Sequence, residues 1–524
     1  MTKVARALSS QLTHLGIREV FGNPGTTELP FLEGLVEQQY YLTLHDSIAV
    51  GAADGLSQVD RKATVASLHA AVGLGNSIGF VYSAQRNRSP VVLLVGQQDL
   101  RHSNYDPLLQ ANMEQMVSGL VKFSCEPKTV DEVSVALDRA VKTAMTPPFG
   151  PTLVSLPMDL MEAEAPRTET SPGSETTSPP AASLEALVER IRGAQKIAIV
   201  AGYEVDVWDA FNELKALADR LGAPVYAEPL ASRAMVPEAL PQFAGDLLPA
   251  SALITATLTD FDLVLLLGAD FTVYPYTPVP LPGGEKVFYL GTDPAVPGRL
   301  SCPSVYGKLK ELLGALLPLL PPPRPAFRAP RDLMRASRAA RAARTMGGYF
   351  VLEAATRIFS DHTIVDEAVS LTPVLKSLGV YRGKDSYFGY RSGQLGWGLA
   401  ASVGISVRRP KVLTVLGDGS LQYAVQSLGT IARYHLPVKI LVVNNHSYAI
   451  LRSYSKAYHP PLIDLDYFQL PHIDIPSLAK GYGLPATTVD SPQALEAELK
   501  RFREQEGPAL LNVEIDRTVP DLFS

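Results

Sequence analysis

The sequence has few cysteines, no long apolar run and no excess of basic residues, and each absence excludes a class of protein. Its 524 residues include only two cysteines, Cys125 and Cys302, so neither a disulfide framework nor a cysteine metal cluster is predicted. No run of about 18 apolar residues occurs, which predicts no membrane span. The net charge is −6, whereas nucleic-acid-binding proteins usually carry a basic face. We therefore expect neither a membrane nor a nucleic acid as partner.

The first residues, MTKVARALSSQLTHLG, lack a continuous apolar segment, so no signal peptide is predicted and a cytoplasmic location is expected. Hydrophobic residues make up 46% of the chain and charged residues 19%, as in an ordinary globular enzyme. A chain of this length is too long for one core and predicts about three domains.

Short apolar segments alternate with helical patterns throughout the chain, which predicts an α/β fold with parallel sheets. We predict three doubly wound parallel-sheet domains at residues 1–165, 183–318 and 346–524. A Pro/Ser/Thr-rich stretch at 166–182 has few residues able to form a core and is predicted to link the first two domains. The middle domain lacks a full G-x-G-x-x-G, so no nucleotide is expected there.

Polar residues follow the predicted strand ends of the first domain. The strands are predicted at Glu19–Phe21, Tyr41–Leu44, Thr64–Leu68, Val91–Val95 and Thr152–Leu156. The polar residues that follow are Thr26, Asp46, His69 and Gln97. Because parallel strands end at one edge of their sheet, we expect these side chains to share that edge.

The most informative stretch, VLTVLGDGSLQYAVQSL, begins at Val412. Val412–Leu416 is apolar and β-branched, which predicts a buried strand, and Gly417-Asp418-Gly419-Ser420 follows as the turn into a helix. One helix is predicted after the turn because apolar residues recur near a 3.6-residue period at Leu421, Val425, Leu428 and Ile431. The glycines let the backbone approach a phosphate closely, and the helix N-terminus favours its charge.

A second buried strand, Ile440–Val443, ends at the pair Asn444-Asn445. If the two strands are parallel neighbours, Asp418 and Asn445 lie at the same sheet edge, where open α/β sheets bind ligands. A carboxylate and an amide carbonyl are hard oxygen ligands, which suit Mg²⁺ or Ca²⁺ shared with a diphosphate.

GDG followed by 24 residues and NN is similar to the signature of thiamine-diphosphate enzymes. Over nearly its whole length the chain resembles the decarboxylase branch of that family, and within it the group that acts on benzoylformate. The other segments that carry the resemblance are Phe21–Phe31, Ala53–Gln58, Ser67–Ser77, Gly96–Gln98 and Leu478–Gly483.

The resemblance implies thiamine diphosphate and Mg²⁺ (or Ca²⁺) as cofactors. It implies that the first domain binds the aminopyrimidine ring and the third binds the diphosphate. In the family the cofactor lies between two chains, so a homodimer is expected as the minimum active unit and a homotetramer is the other expected state.

The resemblance also assigns residues of the third domain. The metal ligands would be Asp418, Asn445 and the backbone carbonyl of Ser447. Leu395 matches the apolar residue that bends the cofactor. The remaining residues predicted to bind the cofactor are Gly417, Gly419, Ser420, Tyr448 and Ile450, and Ile450 and Tyr454 would line the substrate pocket.

Asp46 stands where the family has the glutamate that hydrogen-bonds the pyrimidine ring nitrogen. Aspartate is shorter by one methylene, roughly 1.5 Å of reach, and a misplacement of about 1 Å can cost on the order of 100-fold in rate. A closer backbone, a bridging water, or a slow or altered reaction are all open interpretations. Asp46 is also a candidate cap for a helix that begins at Ser47.

Thr26 and His69 match family residues at the substrate. Thr26 would contact the substrate carboxylate, although the Thr-Thr-Glu-Leu segment is also typical of a helix N-cap. His69 would act as an acid or base near the substrate, although a histidine after a strand is also a common structural residue. A second family histidine is missing, and Tyr274-Pro275-Tyr276 stands near its place.

These matches predict a thiamine-diphosphate-dependent enzyme that decarboxylates a small-molecule 2-oxo acid to an aldehyde. A carboligase that forms acyloins is the first alternative, which the missing histidine favours. A cofactor-binding protein with little turnover is the second, because the family glutamate is replaced.

Overall fold

The computed structural model describes residues 2–165, 181–328, 345–463, 465–518 and 522–523. Within these ranges the chain forms three six-stranded sheets whose neighbouring strands are all parallel. Helices connect the strands, so the predicted α/β fold with three doubly wound parallel sheets is confirmed. The predicted linker at 166–182 lies almost entirely outside the described residues, and the domain boundaries stay predictions.

The first sheet is built from the N-terminal part of the chain. Its strands and a short flanking pair are β1 Thr2–Lys3, β2 Glu19–Gly22, β3 Gln39–Leu42, β4 Thr64–Leu68, β5 Val91–Gln97, β6 Ser124–Cys125, β7 Thr152–Pro157 and β8 Glu164–Ala165. The helices are α1 Val4–His14, α2 Leu29–Gly34, α3 Asp46–Asp60, α4 Ala70–Arg86, α5 Met113–Met116, α6 Val130–Met145 and α7 Met158–Glu162. The sheet order is β3-β2-β4-β5-β7-β6, and β1 pairs with β8.

The second sheet has the order β11-β10-β9-β12-β13-β14. These strands are β9 Ile197–Ala201, β10 Val225–Ala227, β11 Phe243–Asp246, β12 Leu263–Leu267, β13 Val287–Gly291 and β14 Ser304–Tyr306. The helices are α8 Ala181–Gly193, α9 Glu204–Val207, α10 Phe211–Leu221, α11 Ser251–Leu258, α12 Ala295–Leu300 and α13 Leu309–Leu316.

The third sheet has the order β16-β15-β17-β18-β20-β19. These strands are β15 Thr363–Glu367, β16 Tyr387–Phe388, β17 Val412–Gly417, β18 Val438–Asn444, β19 Ala486–Val489 and β20 Ala509–Glu514. The helices are α14 Gly348–Ile358, α15 Thr372–Ser377, α16 Trp397–Ser406, α17 Asp418–Gln422, α18 Ser427–Arg433, α19 Ala449–Tyr458, α20 Ile475–Gly481 and α21 Pro492–Glu504. No helix in the described ranges is long and apolar enough to cross a membrane.

The central strands are buried along their length because helices cover both faces of each sheet. Every residue of β4, β5 and β18 is buried. The strand predicted at Tyr41–Leu44 is observed two residues earlier, as β3, because its register pairs Glu19 with Gln39 and Gly22 with Leu42. The pairing with β2, rather than the apolar pattern, sets where this strand ends.

The single helix predicted after Ser420 is wrong, since α17 and α18 are separate. Tyr423, Ala424 and Ser427 instead donate their N–H groups three residues back, to Ser420, Leu421 and Ala424. The loop before α16 packs against this break, where a Cβ on Gly396 would lie 2.9 Å from Tyr423 Cβ. The close packing of that loop accompanies the tighter turns.

The first and third domains meet along helices α3 and α16. A Cβ on Gly404 would lie 1.9 Å from the backbone oxygen of Ala52, and one on Gly55 would lie 2.2 Å from that of Ala401. Glycine is therefore required at both positions, because the two backbones touch. α3 begins at Asp46 and α16 follows Leu395, so this contact joins the parts of the chain that carry the two sets of predicted site residues.

Candidate functional site

Asp418 and the Asn445 loop meet at the carboxyl edge of the third sheet. Strands β17 and β18 are parallel neighbours, with Gly417 opposite Val443, so Asp418 and Asn445 follow strand ends that lie side by side. Burial raises the pKa of Asp418 to about 6, and the backbone amides of Gly419 and His446 oppose this rise. His446 directly follows Asn445, so its amide brings the asparagine loop against the Asp418 carboxylate.

The residues around Asp418 have the donor chemistry of a divalent cation site. Asn445 is buried, and its Oδ1 accepts the N–H of Ser447 at 3.1 Å. Within the described part of the chain the buried Ser447 hydroxyl has no hydrogen-bond partner. A desolvated carboxylate beside amide and carbonyl oxygens fits Mg²⁺ or Ca²⁺. Among the described residues, no group of three or more His, Cys, Asp or Glu side chains is placed to hold a metal ion, so a cation here would depend on one carboxylate with amide and carbonyl oxygens.

The turn at Gly419 has no room for a Cβ atom beside the Tyr448 ring. A Cβ on Gly419 would lie 2.7 Å from Cε1 of Tyr448, so the Tyr448 ring lies directly over the turn. Ser420 is buried, and its Oγ lies 3.4 Å from the backbone oxygen of Glu367. The predicted residues Gly417, Gly419, Ser420 and Tyr448 are thus brought together in one cradle beside Asp418.

His446 fixes the loop that carries Asn445. Its Nε2 lies 2.6 Å from Glu514 Oε2, and Asn444 Nδ2 donates to Glu514 Oε1 at 3.1 Å. The backbone of His446 is left-handed, with φ of +54°, which is uncommon for a residue other than glycine. Glu514 at the end of β20 therefore holds both ends of this short loop.

Glu367 at the end of β15 organises the loop around Leu395. It is buried, and its two carboxylate oxygens accept the N–H groups of Gly396 and Gly398, each at 2.5 Å. Burial raises the pKa of Glu367 to about 8, and these two hydrogen bonds oppose the rise. Leu395 is half-buried and immediately precedes Gly396. The hydrogen bonds of Glu367 to this loop therefore fix the position of the Leu395 side chain.

Asp46 is the first residue of α3 and is not its cap. The cap is His45, whose Nδ1 accepts the N–H of Ser47 at 3.3 Å, so the expected capping role of Asp46 is wrong. Asp46 is buried, and its carboxylate accepts the N–H of His69 at 3.1 Å and an Asn23 Nδ2–H at 3.3 Å. A Cβ on Gly73 would lie 2.4 Å from Asp46 Oδ1, so glycine makes room for the carboxylate.

Glu28 is a residue of this site that the sequence patterns did not single out. It is buried, and its Oε2 lies 2.8 Å from Nδ1 of His69. The same carboxylate accepts the hydroxyl of Thr27 at 2.6 Å and the N–H of Gly25 at 3.0 Å. The Thr-Thr-Glu-Leu pattern indicated a capping residue, and the bond to Gly25 is of that kind. The contact of Glu28 with His69 joins residues that lie far apart in the sequence, so local pattern does not predict it.

Thr26 lies at the same sheet edge but does not share these contacts. The short helix that contains it is capped by Gly25, so the interpretation of Thr26 as the cap is wrong. Thr26 is exposed, while a Cβ on Gly25 would lie 1.9 Å from Nδ1 of His69. Gln97 ends β5 and donates to Ala111 and Glu126, away from His69.

Within the described residues, the first-domain and third-domain groups are not joined by hydrogen bonds. No hydrogen bond in the described ranges joins Asp46 or His69 to Asp418 or Asn445. Ile450 and Tyr454 lie one turn apart on α19, so they share a helix face. The Tyr454 ring lies 6.2 Å from the ring of Tyr274, which brings the middle domain to this face.

Family models match all three domains of the chain. Residues 2–119 match the N-terminal TPP binding domain of thiamine pyrophosphate enzymes, residues 184–316 match their central domain, and residues 374–513 match their C-terminal TPP binding domain. Among curated proteins, benzoylformate decarboxylase of Pseudomonas aeruginosa is 32% identical over 98% of this chain and 99% of its own. The large subunit of acetolactate synthase isozyme 1 of Escherichia coli is 24% identical over 96% of this chain and 92% of its own.

Two solved structures have the same architecture. Benzoylformate decarboxylase from Polynucleobacter necessarius superposes with a TM-score of 0.91 at 29% identity and covers 99% of this chain and 100% of that one. A thiamine diphosphate-dependent 4-hydroxybenzoylformate decarboxylase from Rhodococcus jostii RHA1 gives a TM-score of 0.89 at 29% identity with the same coverage.

Proposed function

The chain belongs to the thiamine pyrophosphate enzyme family, and from that premise we propose that it decarboxylates a 2-oxo acid to an aldehyde. The observation that carries this proposal is the meeting of Asp418 with the Asn445 loop at the carboxyl edge of the third sheet. The similarity of the chain to benzoylformate decarboxylases supports a 2-oxo acid with an aromatic side chain as substrate.

Asp418, Asn445 and the backbone carbonyl of Ser447 would hold a divalent metal ion, and Gly417, Gly419 and Ser420 would hold the diphosphate. Bound thiamine diphosphate supplies a carbon nucleophile and accepts the electron pair that decarboxylation releases. Leu395, Tyr448 and Ile450 would bind the organic part of the cofactor. The raised pKa of Asp418 supports a metal, because a cation at this buried carboxylate compensates its lost hydration.

Asp46 would hold the proton at the pyrimidine ring nitrogen. Its carboxylate is fixed from two sides, by the N–H of His69 and by Asn23, so it has a single defined direction. A shorter carboxylate that is fixed in place cannot extend toward the cofactor ring. Its catalytic role would therefore depend on how precisely Asp46 is positioned. We propose that Asp46 works in place of the family glutamate.

Thr26 would bind the substrate carboxylate and His69 would exchange a proton with the substrate oxygen. Glu28 beside Nδ1 of His69 leaves Nε2 as the ring nitrogen available to the substrate. The exposed hydroxyl of Thr26 is free to turn toward a carboxylate, since its neighbour Gly25 packs against His69.

A carboligase is the second candidate, and one contact favours it. Tyr274, near the position of the missing histidine, lies against Tyr454, so a phenol ring rather than an imidazole stands there. Without an imidazole to deliver a proton at this place, the site would favour joining to an aldehyde or a second 2-oxo acid over release of a free aldehyde. The similarity to acetolactate synthase is in keeping with this candidate.

We further propose that two chains form each site, as a homodimer or a homotetramer. The match to the N-terminal and C-terminal TPP binding domains supports this arrangement, because the family binds its cofactor between the first domain of one chain and the third domain of another. Sedimentation equilibrium measures it directly, and an active monomer would contradict it.

The test of function is a screen of 2-oxo acids with the enzyme loaded with thiamine diphosphate and Mg²⁺. Carbon dioxide and free aldehyde are the expected products, and acyloin formed when an acceptor aldehyde is added would identify the carboligase. Exchange of the cofactor C2 proton, measured by NMR after an acid quench, tests the third possibility of a protein with little turnover. A loaded enzyme with no exchange and no carbon dioxide from any 2-oxo acid would contradict the proposal.

A further inference from the structure

Four phenyl and phenol rings from three separate parts of the chain form one cluster beside α19, and the imidazole of His459 lies 6.2 Å from one of them, Tyr454. The Tyr454 ring lies 5.3 Å from Phe523, 4.7 Å from Tyr458 and 6.2 Å from Tyr274. Tyr274 and Phe523 are themselves 6.1 Å apart. Tyr274 comes from the middle domain, Tyr454 and Tyr458 come from α19, and Phe523 comes from the last part of the chain. We call Tyr274, Tyr454, Tyr458 and Phe523 the aromatic wall.

The two distant members of the aromatic wall are held in place by backbone hydrogen bonds. The N–H of Tyr274 donates to the carbonyl of Pro249 at 2.7 Å. The N–H of Leu522, next to Phe523, donates to Oγ of the buried Ser453 at 3.2 Å. These two hydrogen bonds fix the backbone at Tyr274 and beside Phe523, while the two rings remain available for contacts with a ligand.

The aromatic wall is not part of a hydrophobic core. Tyr274 is 62% exposed and Tyr458 is 38% exposed. Aromatic rings that gather at a surface while they remain exposed are typical of a binding face, because burying them releases further free energy. In the described part of the chain, none of the three tyrosine hydroxyls of the wall has a hydrogen-bond partner, so the face also has unused polar groups.

The wall stands next to the proposed cofactor cradle. Helix α19 begins immediately after Tyr448, whose ring covers the Gly419 turn. Ile450 and Tyr454 lie one turn apart on the same face of α19, and a turn advances about 5.4 Å. A small molecule held over the cradle therefore has the aromatic wall within one or two helical turns.

We propose that Tyr274 and Phe523 complete a substrate-binding wall with Tyr454 and give the enzyme its preference for 2-oxo acids that carry an aromatic ring. This inference rests on the proposed function, since it names the part of the same site that recognises the substrate side chain. The two residues act as specificity determinants: an aromatic ring stacks against them, and a short aliphatic side chain does not reach them.

The test compares the Phe523→Ala and Tyr274→Ala variants with the wild type on benzoylformate and on pyruvate. We expect kcat/KM for benzoylformate to fall by about 3- to 10-fold through KM, as aromatic contacts of this kind predict. The value for pyruvate should change by less than about twofold. Phe523→Leu keeps an apolar contact and should recover part of the loss. The control is Tyr306→Ala, which removes a half-exposed ring from the edge strand β14, away from the wall.

Three outcomes would overturn the inference. One is an equal loss on both substrates, which would indicate a general effect on the fold. Another is no loss on either substrate. The third is a change of oligomeric state in the variants with an unchanged ratio between the two substrates, which would identify the wall as a contact between subunits.

A readout without turnover separates this inference from the proposed function. Benzoate carries the ring and the carboxylate but has no 2-oxo group, and its binding to the loaded enzyme can be measured by calorimetry. Weaker benzoate binding in Phe523→Ala than in Tyr306→Ala supports the wall even if no 2-oxo acid is decarboxylated. Equal benzoate binding in both variants overturns the wall even if decarboxylation is found.

Discussion

Oε2 of Glu28 lies 2.8 Å from Nδ1 of His69, and the carboxylate that makes this contact is 2% exposed. The same carboxylate is held by Thr27 and by the backbone of Gly25, so it cannot turn away. A histidine with one nitrogen fixed in this way presents the other in a constant direction, which is the usual arrangement for a residue that handles protons.

Glu28→Gln should therefore lower kcat by about 10- to 100-fold while KM changes less, because the amide no longer fixes the tautomer of His69. Glu33→Gln is the matched control, since Glu33 lies on the following helix, is exposed and only pairs with Lys3. Steady-state kinetics across pH 5–9 gives the split between kcat and KM. Identical kinetics in the two variants would mean that Glu28 serves the fold alone.

Asp46→Asn should slow exchange of the cofactor C2 proton by at least about 100-fold, the scale of a lost acid–base group. Gly73→Ala should slow it as well, because a Cβ there would lie 2.4 Å from Asp46 Oδ1 and displace the carboxylate. Asp60→Asn, at the other end of α3, is the control. Exchange at the wild-type rate in Asp46→Asn would show that another group holds the proton.

Asp418→Ala should weaken binding of thiamine diphosphate with Mg²⁺ by about 100-fold or more, because it removes the only carboxylate of the proposed cation site. Calorimetry with the apoprotein measures this loss directly. Asp466→Asn, at an exposed position in the same domain, should bind as the wild type does. Equal affinities in the two variants would remove the metal assignment.

Glu367 should make the apoprotein less stable as pH rises. Burial raises the pKa of Glu367 in the folded protein to about 8, well above its ordinary value, so the folded state keeps a proton that the unfolded state has lost. The contribution of Glu367 to the free energy of unfolding is fully present below the pKa of the unfolded state. It is lost as the pH rises toward the pKa of the folded state, by at most about 1.4 kcal/mol per pH unit. Thermal midpoints between pH 5 and 8 should fall less steeply in Glu367→Gln. An unchanged slope would mean that Glu367 is ionised in the folded protein.

The sequence predicted the features that follow from local pattern. The parallel sheets, strand Thr64–Leu68 and the adjacency of Asp418 and Asn445 all depend on apolar runs that end at polar turns. The roles of the predicted site residues stay predictions. What local pattern could not supply is pairing across the fold.

The contact between Glu28 and His69 joins residues that each have an ordinary local interpretation, as a cap residue and as the end of a strand. The break between α17 and α18 packs against the loop at Gly396, which lies elsewhere in the sequence. The aromatic wall joins rings from the middle domain and from the last residues of the chain. Periodicity carries no information about any of these contacts.

The backbone contact of α3 with α16 has a mechanical consequence. Where the two backbones touch, at Gly55 and Gly404, no side chain lies between them to absorb a shift, so displacement of one helix displaces the other. Asp46 at the start of α3 and Leu395 just ahead of α16 are thus attached to two helices that move together. A methyl group added at Gly404, remote from both residues, is therefore enough to displace Asp46 and Leu395 at the same time.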